Sequence, residues 1–330
     1  MFDLDIPPAW TLSVENILQH RWRKILVLGA TDRGKSTYCN LLAIKILSAG
    51  FRVAFVDADV GQKDVGPPAT ISLAYVKSEK GLTDAQIAGL YFAGAVSPAG
   101  HFLPIVVGTR RLVDMAQADH VIVDTTGLIH RAGSVLKSFQ IDSIRPDAII
   151  AIEKRNELET ILNAYSHLNI LRLSPSRAAR SKSPKERKLL REKSFGNYFS
   201  GARELAVNIR ELIFQRSPLF TGKRVQDTQY LYAEESCGGI VAVGSTVTTE
   251  KHRHLHLLQP GFEKNLLCAL ADKQGEVVGL GIIKRIDFLR EQICVVTPVR
   301  REDFVLMQFG DMYISIDGRE LPHPIKKGFY

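Results

Sequence analysis

The sequence predicts an α/β fold: a mainly parallel sheet flanked by helices, followed by a small β-rich C-terminal domain. Three observations predict it. Apolar runs of strand length alternate with helical stretches through the first part of the chain, which is how a parallel sheet with helices on both faces is built. A glycine-rich loop stands between the first such run and the first clear helix. After about Gly222 the texture changes to short β-branched runs broken by glycine and aspartate turns.

The elements follow in order. Residues 1–22 give no strong pattern and are read as a short N-terminal segment. From Arg23 the run Ile25-Leu26-Val27-Leu28 reads as a buried strand ending at a glycine. Lys35 to Leu47 reads as a helix, with apolar Leu41, Leu42, Ile44 and Ile46, and Gly50 stands where a helix stops. Arg52 to Val56 is a second strand, and it leads into acids. Further strand-length runs lie at His120 to Val123, Ala148 to Ile152 and Leu168 to Leu171. The stretch from Arg172 to Lys193 reads as a loop entering a helix at about Pro184. Gly239 to Thr248, Val277 to Ile283, Ile293 to Val299 and Met312 to Ile316 supply the β texture of the tail. The domain reading is therefore 23–221 for the α/β domain, with a basic segment near 172–199, and 222–330 for the β domain.

Composition narrows the class. A 45% hydrophobic and 24% charged chain is ordinary for a globular protein, and no apolar run approaches the roughly 20 residues of a membrane-spanning helix. Residues 1–9 lack a positive flank followed by an apolar core, so no secretory signal is expected. Cys39, Cys237, Cys268 and Cys294 are scattered without CxxC spacing. That argues against a disulfide framework or a zinc site and suits a reducing compartment, cytoplasmic or nuclear. Of the net charge of +8, the stretch from Arg172 to Lys193 carries +7, with five arginines and four lysines against Glu186 and Glu192. Charge concentrated in this way can grip phosphate, whereas evenly spread charge mainly keeps a protein soluble.

Gly29-Ala30-Thr31-Asp32-Arg33-Gly34-Lys35-Ser36 matches GxxxxGK[ST], the phosphate-binding loop of P-loop NTPases. Its glycines let the backbone curl so that amides point inward at phosphate oxygens, and the following helix adds its positive N-terminal end. Gly29, Thr31, Asp32, Arg33, Gly34, Lys35, Ser36 and Thr37 are the expected nucleotide cradle. Lys35 can reach the β and γ phosphates, and Ser36 can offer its hydroxyl to Mg²⁺. The second strand closes on Asp57-Ala58-Asp59-Val60-Gly61-Gln62. Acids at i and i+2 of an extended chain share a side, so one could act as base while the other serves the metal shell. The strand at His120 closes on Asp124-Thr125-Thr126-Gly127, where Asp124 holds the usual metal-site position. The DxxG spacing also fits a GTPase switch. However, Glu153-Lys154-Arg155-Asn156 lacks the aspartate of a guanine-reading N/TKxD motif.

Taken together, the loop, DxDxxQ at Asp57 to Gln62, TxG at Thr125 to Gly127, Arg187-x-x-x-Arg191 and the Phe195-x-x-Tyr198-Phe199 patch resemble the polynucleotide 5′-hydroxyl kinase family. The resemblance runs from about Arg23 to Phe199 and extends to the β-rich tail. It implies transfer of the γ-phosphate of ATP, or of GTP or another triphosphate, to the 5′-OH end of RNA or DNA with Mg²⁺. It further implies that Asp59 is the general base with Gln62 beside it, and that Thr125, Thr126 and Gly127 form a clasp for the acceptor. Lys35, Arg187 and Arg191 would stabilise the transferring phosphoryl, with Ser36, Asp57 and Asp124 at the metal. The alternative is a regulatory P-loop NTPase or GTPase-like switch with no polynucleotide acceptor.

Two features depart from the family. Its clasp usually ends in a tryptophan that can stack on the first base, and Leu128 stands there in this chain; relatives of the eukaryotic type also carry an N-terminal β domain, which the short segment before Arg23 does not provide. Bland readings stand beside the sharp ones. Arg187 and Arg191 could be a solvated helix face, and Phe195, Tyr198 and Phe199 at i, i+3, i+4 suit core packing. His252, His254 and His256 read as an exposed strand or loop.

Overall fold

The computed structural model describes residues 5–236, 238–245 and 254–323. It forms two compact units, residues 1–191 and 192–330. In the first unit the elements are α1 (Pro8–His20), β1 (Lys24–Leu28), α2 (Lys35–Ser48), β2 (Val53–Ala58), β3 (Thr70–Tyr75), β4 (Gln86–Phe92), α3 (Phe102–Met115), β5 (His120–Thr125), α4 (Ala132–Ile144), β6 (Ala148–Ile152), α5 (Glu159–Leu162) and β7 (Asn169–Leu173). Helix α6 (Pro184–Phe199) crosses the boundary.

The first sheet has the order β4-β3-β2-β5-β1-β6-β7. From β2 to β7 every pairing is parallel, while β3 and β4 add an antiparallel edge. The sheet is thus mainly parallel, as the alternation of runs predicts. Side chains on β1 alternate between two cores, because successive residues of a strand face opposite sides. Leu26 and Leu28 pack with Ile105, Leu112, Leu136 and Ile141 of α3 and α4. Ile25 and Val27 pack with Trp10, Ile17, Leu42 and Ile46 of α1 and α2. A strand buried on both faces has to be apolar throughout, which is why β1 reads as an unbroken apolar run.

Helix α1 lies in the segment that gave no pattern. Its buried stripe is Trp10, Val14 and Ile17, at i, i+4 and i+7, with proline in its first turn. Polar residues between the anchors mask that stripe in the sequence. The Trp10 indole donates to the Ser174 carbonyl at 2.9 Å and meets the Tyr38 ring edge-on at 5.3 Å. Helix α2 begins at Lys35 as read, and Gly50 takes the left-handed conformation just past its end, φ 87°. Helix α6 starts at Pro184, also as read, behind a reciprocal cap. The Ser183 amide donates to Glu186 Oε2, and the Glu186 amide donates to Ser183 Oγ.

The second unit continues with β8 (Arg203–Asn208), β9 (Ile213–Gln215), β10 (Lys223–Arg224), β11 (Tyr232–Ser236), β12 (Gly239–Val243), β13 (Leu255–Leu258), β14 (Leu266–Ala271), β15 (Val277–Asp287), β16 (Gln292–Thr297), β17 (Leu306–Ile314) and β18 (Glu320–Leu321). One sheet runs β18-β17-β14-β15-β16-β8, with β9 added beside β17, and a four-stranded sheet runs β10-β11-β12-β13. Strand β8 pairs with β16 along its whole length. The β-rich unit therefore begins about thirty residues before the change of composition at Gly222. Phe195 and Phe199 are buried, and Tyr198 Oη accepts the Leu280 amide at 2.8 Å, so this aromatic group packs. Among the described residues no helix is long and apolar enough to cross a membrane.

Candidate active site

Strand order gathers the motifs. With β5 between β1 and β2 in parallel register, Val27 and Asp57 both stand opposite Asp124. The loops leaving the carboxyl ends of these three strands therefore meet at one edge, which is where open α/β sheets bind ligands. The phosphate-binding loop leaves β1 there, the Asp59 turn leaves β2, and the Thr126-Gly127 turn leaves β5. Two glycines fit the loop into this crowd. A Cβ on Gly29 would stand 2.5 Å from the Ile152 carbonyl oxygen, and one on Gly127 would stand 2.3 Å from Thr31 Oγ1. Gly34 reaches φ 86° at the loop's end, a conformation that side chains disfavour.

The resulting cleft, about 250 Å³, is lined by Thr31, Asp32, Gly34, Lys35, Ser36 and Thr37, by Asp59 and Gln62 opposite them, by Gly127, and by Ala178, Ala179, Arg180 and Lys182. Lys35 Nζ donates to the Ala30 carbonyl at 3.2 Å. Ser36 Oγ donates to Asp124 Oδ2 at 2.7 Å. Burial pushes the Asp124 carboxyl up to about 7, and the nearby Lys35 pulls the other way. A hydroxyl bonded to a buried carboxylate beside a phosphate cradle is an oxygen donor set that fits Mg²⁺. Among the described residues no group of three His, Cys, Asp or Glu could hold a metal by itself, so any cation here would take most of its ligands from phosphate and water.

Asp59 Oδ1 accepts the amides of Gly61 and Gln62, both at 3.0 Å, and these two bonds set its carboxylate in the cleft wall. Asp57, expected at the metal, does not line the cleft beside it. Asp57 is the penultimate residue of β2, and the chain leaves the sheet after Ala58, ending the two-residue alternation. Its Oδ1 accepts the Asp59 amide at 3.1 Å and lies 3.1 Å from Lys63 Nζ, while its Oδ2 accepts the amides of Asp64 and Val65. Burial raises the Asp57 carboxyl and lowers the Lys63 ammonium. The pair pins the loop that follows Asp59.

The clasp residues also divide. Gly127 lines the cleft. Thr125 is fully buried and its hydroxyl donates to the Val27 carbonyl at 2.9 Å, so it ties β5 to β1 and is not placed to meet an acceptor. Thr126 Oγ1 accepts from Lys137 Nζ at 3.2 Å. In the cradle the Arg33 guanidinium is held bidentately by Glu157, at 2.6 and 2.8 Å, leaving its backbone amide for any nucleotide. Asp32 Oδ2 accepts from Arg187 Nη2 at 2.6 Å, from the Lys182 amide at 3.0 Å and from Ser181 Oγ at 3.2 Å. Gln62 Nε2 donates to the Arg187 carbonyl at 3.3 Å. The basic segment is thus latched over the cradle. Arg187 Nε is buried and bonds nothing, so half of its fork is unengaged. Arg191 follows one turn later along α6, and neither arginine lines the cleft itself.

Sequence reasoning missed Lys63, Glu157 and Lys137. The first two carry no pattern that marks them. Lys137 does: it lies on the buried stripe of α4 formed by Gly133, Leu136, Gln140, Ile141 and Ile144, where a charged residue is out of place. His252 lies outside the described residues, while His254 and His256 are exposed. Cys39, Cys268 and Cys294 are buried free thiols.

Comparison with known proteins follows the same lines. Residues 29–201 match the family described as the mRNA cleavage and polyadenylation factor CLP1 P-loop. A polyribonucleotide 5′-hydroxyl-kinase of Pyrococcus abyssi is 35% identical, with 97% of this chain and 96% of the relative covered. One from Methanocaldococcus jannaschii is 35% identical, with 90% and 89% covered. A chain of the solved wild-type Clp1p–Pcf11p complex shares the fold, with a TM-score of 0.63 at 12% identity over 92% of this chain and 78% of the other.

Proposed function

The chain belongs to the CLP1 P-loop family and is a polynucleotide 5′-hydroxyl kinase, and from that premise we propose how its residues carry the transfer, with RNA as the acceptor. One observation supports the assignment above all: Asp59 and Gln62 face Lys35 and Ser36 across a single cleft. A triphosphate, ATP in our reading, lies with its β and γ phosphates against the loop amides and Lys35. Ser36, with Asp124 behind it, would hold Mg²⁺, which would offset the charge of the phosphates. The 5′ end of an RNA enters beside Gly127 and Thr126.

Asp59 then takes the proton of the 5′-hydroxyl as that oxygen bonds to the γ-phosphorus. The bond from phosphorus to the β–γ bridging oxygen breaks, and the diphosphate leaves with its charge. Little covalent chemistry is asked of the protein, so placement and charge dominate the rate. Arg187 leaves Asp32 and turns its fork to the moving phosphoryl, with Arg191 one turn behind. In a dry cleft such donors act far more strongly than in water. Names of the relatives favour this course over an acceptor-free switch.

The test is end-labelling from γ-labelled triphosphate, run with 5′-OH and 5′-phosphate oligoribonucleotides. Only the 5′-OH strand should be labelled, and Lys35→Ala and Asp59→Asn should each lower the rate by about 10³-fold or more. Undiminished labelling by Asp59→Asn would remove it as base. Hydrolysis without end-labelling would favour the switch.

A further inference from the structure

Lys137 is fully buried on α4 and plays no part in the reaction course above. Its ammonium has two partners, Thr126 Oγ1 at 3.2 Å and Gln140 Oε1 at 3.4 Å, both neutral and both long. Among the described residues no carboxylate pairs with it. Gln140 is itself fully buried, and its Nε2 bonds nothing. As core filling this is a poor arrangement, since an apolar side chain of the same size would bring no desolvation penalty. The charge is close to the chemistry: Lys137 interacts electrostatically with Lys35, Asp59 and Asp124, and burial lowers its ammonium to about 7.

A hydroxyl has one hydrogen, and an ammonium can only donate. In the Lys137–Thr126 bond the threonine oxygen is therefore the acceptor, and its own hydrogen must point elsewhere. Thr126 directly precedes Gly127, which lines the cleft.

We propose that Lys137 is a positioning residue for the acceptor strand: by bonding Thr126 Oγ1 from behind, it fixes that hydroxyl as a donor to the incoming 5′-oxygen, leaving the 5′-hydroxyl hydrogen for Asp59. This rests on the reading of Thr126 as part of the acceptor clasp. The proton taken by Asp59 is the one on the 5′-oxygen, the new bond joins that oxygen to the γ-phosphorus, and the diphosphate departs. Thr126 and Lys137 keep their own protons throughout.

The test compares full-length wild type, Lys137→Met, Thr126→Val and the double variant, by kinetics with a 5′-OH oligoribonucleotide and by thermal unfolding. Lys137→Met should lower kcat/KM for the oligonucleotide about 10–30-fold and shift KM for the triphosphate less than about two-fold, with no fall in Tm. The double variant should lose no more than Thr126→Val alone. Lys137→Gln, neutral but polar, carries the same kinetic expectation should the methionine variant not fold. Equal oligonucleotide turnover in wild type and the Lys137 variants would overturn the role, as would losses that multiply in the double variant. Wild type that labels no 5′ end would strike the kinase reading and this role with it. Wild type and Lys137→Met that label alike would strike this role alone.

Discussion

At the scale of single residues, Gly127 shows how tightly the site is packed. Gly127 has no room for a methyl group, because a Cβ would stand 2.3 Å from Thr31 Oγ1 and 2.5 Å from the Thr31 amide. Gly127→Ala should therefore push the phosphate loop aside and weaken triphosphate binding about ten-fold or more while leaving the fold intact, a loss of about 1.4 kcal/mol or more; fluorescent-nucleotide titration and unfolding curves would read the two effects. Lys137 makes a prediction of another kind. Its folded ammonium at about 7 lies below the ordinary value of 10.5. Between those values the unfolded chain holds the proton more firmly, so wild-type stability rises with pH across that window. The penalty is complete below pH 7 and gone above 10.5. Lys137→Met removes it, and should gain on the order of 1–4 kcal/mol below pH 7, with the gain shrinking towards pH 10.5 in chemical denaturation series.

Among the elements, α1 and α6 decide how the cradle is held. Trp10 of α1 is buried, reaches the Ser174 carbonyl at the start of the basic segment, and lies where a Cβ on Gly34 would touch its ring at 3.4 Å. Removing the ring should cost about 3–5 kcal/mol. Because the ring backs the phosphate loop, Trp10→Ala should also weaken triphosphate binding, whereas a similar cavity made far from the loop, by Ile144→Ala, should lower Tm alone. Paired thermal and titration measurements separate the two. Helix α6 begins with its capping box and carries Arg187 inward to Asp32, where Ser181 and Lys182 of the preceding loop join it, so the latch over the cradle is shared by the helix and the loop before it.

For the whole molecule, charge is the property that reaches furthest. Nearly all of the +8 surplus lies between Arg172 and Lys193, where Lys185 and Lys188 are exposed on α6. Single-stranded nucleic acid releases counterions where cations meet its phosphates, giving a slope of about −0.7 in log K against log salt for each contact. RNA affinity should therefore fall steeply with salt, and Lys185→Ala with Lys188→Ala should flatten the slope by about 1.4 if each meets one phosphate. An unchanged slope in filter-binding assays would move the RNA path off α6.

The mainly parallel sheet, the GxxxxGKS loop motif and the acid pair closing β2 are legible in the chain, because each is written in local pattern. A run such as Ile25 to Leu28 has one stable use, and a GKS turn between strand and helix has one familiar geometry. The paired acids and the paired threonines, by contrast, are told apart only by the folded chain. Asp57 and Asp59 look alike in sequence, yet the chain leaves the sheet between them, and Lys63 with three backbone amides claims the first. Thr125 and Thr126 are also alike, yet the first ends β5 and is tied to β1, while the second, past the strand, meets Lys137. Lys137, Glu157 and the Asp32–Arg187 latch join residues 11 to 155 positions apart. Such partners meet only in the folded unit; of these residues Lys137 alone is marked in the sequence, as a charge on the apolar stripe of α4.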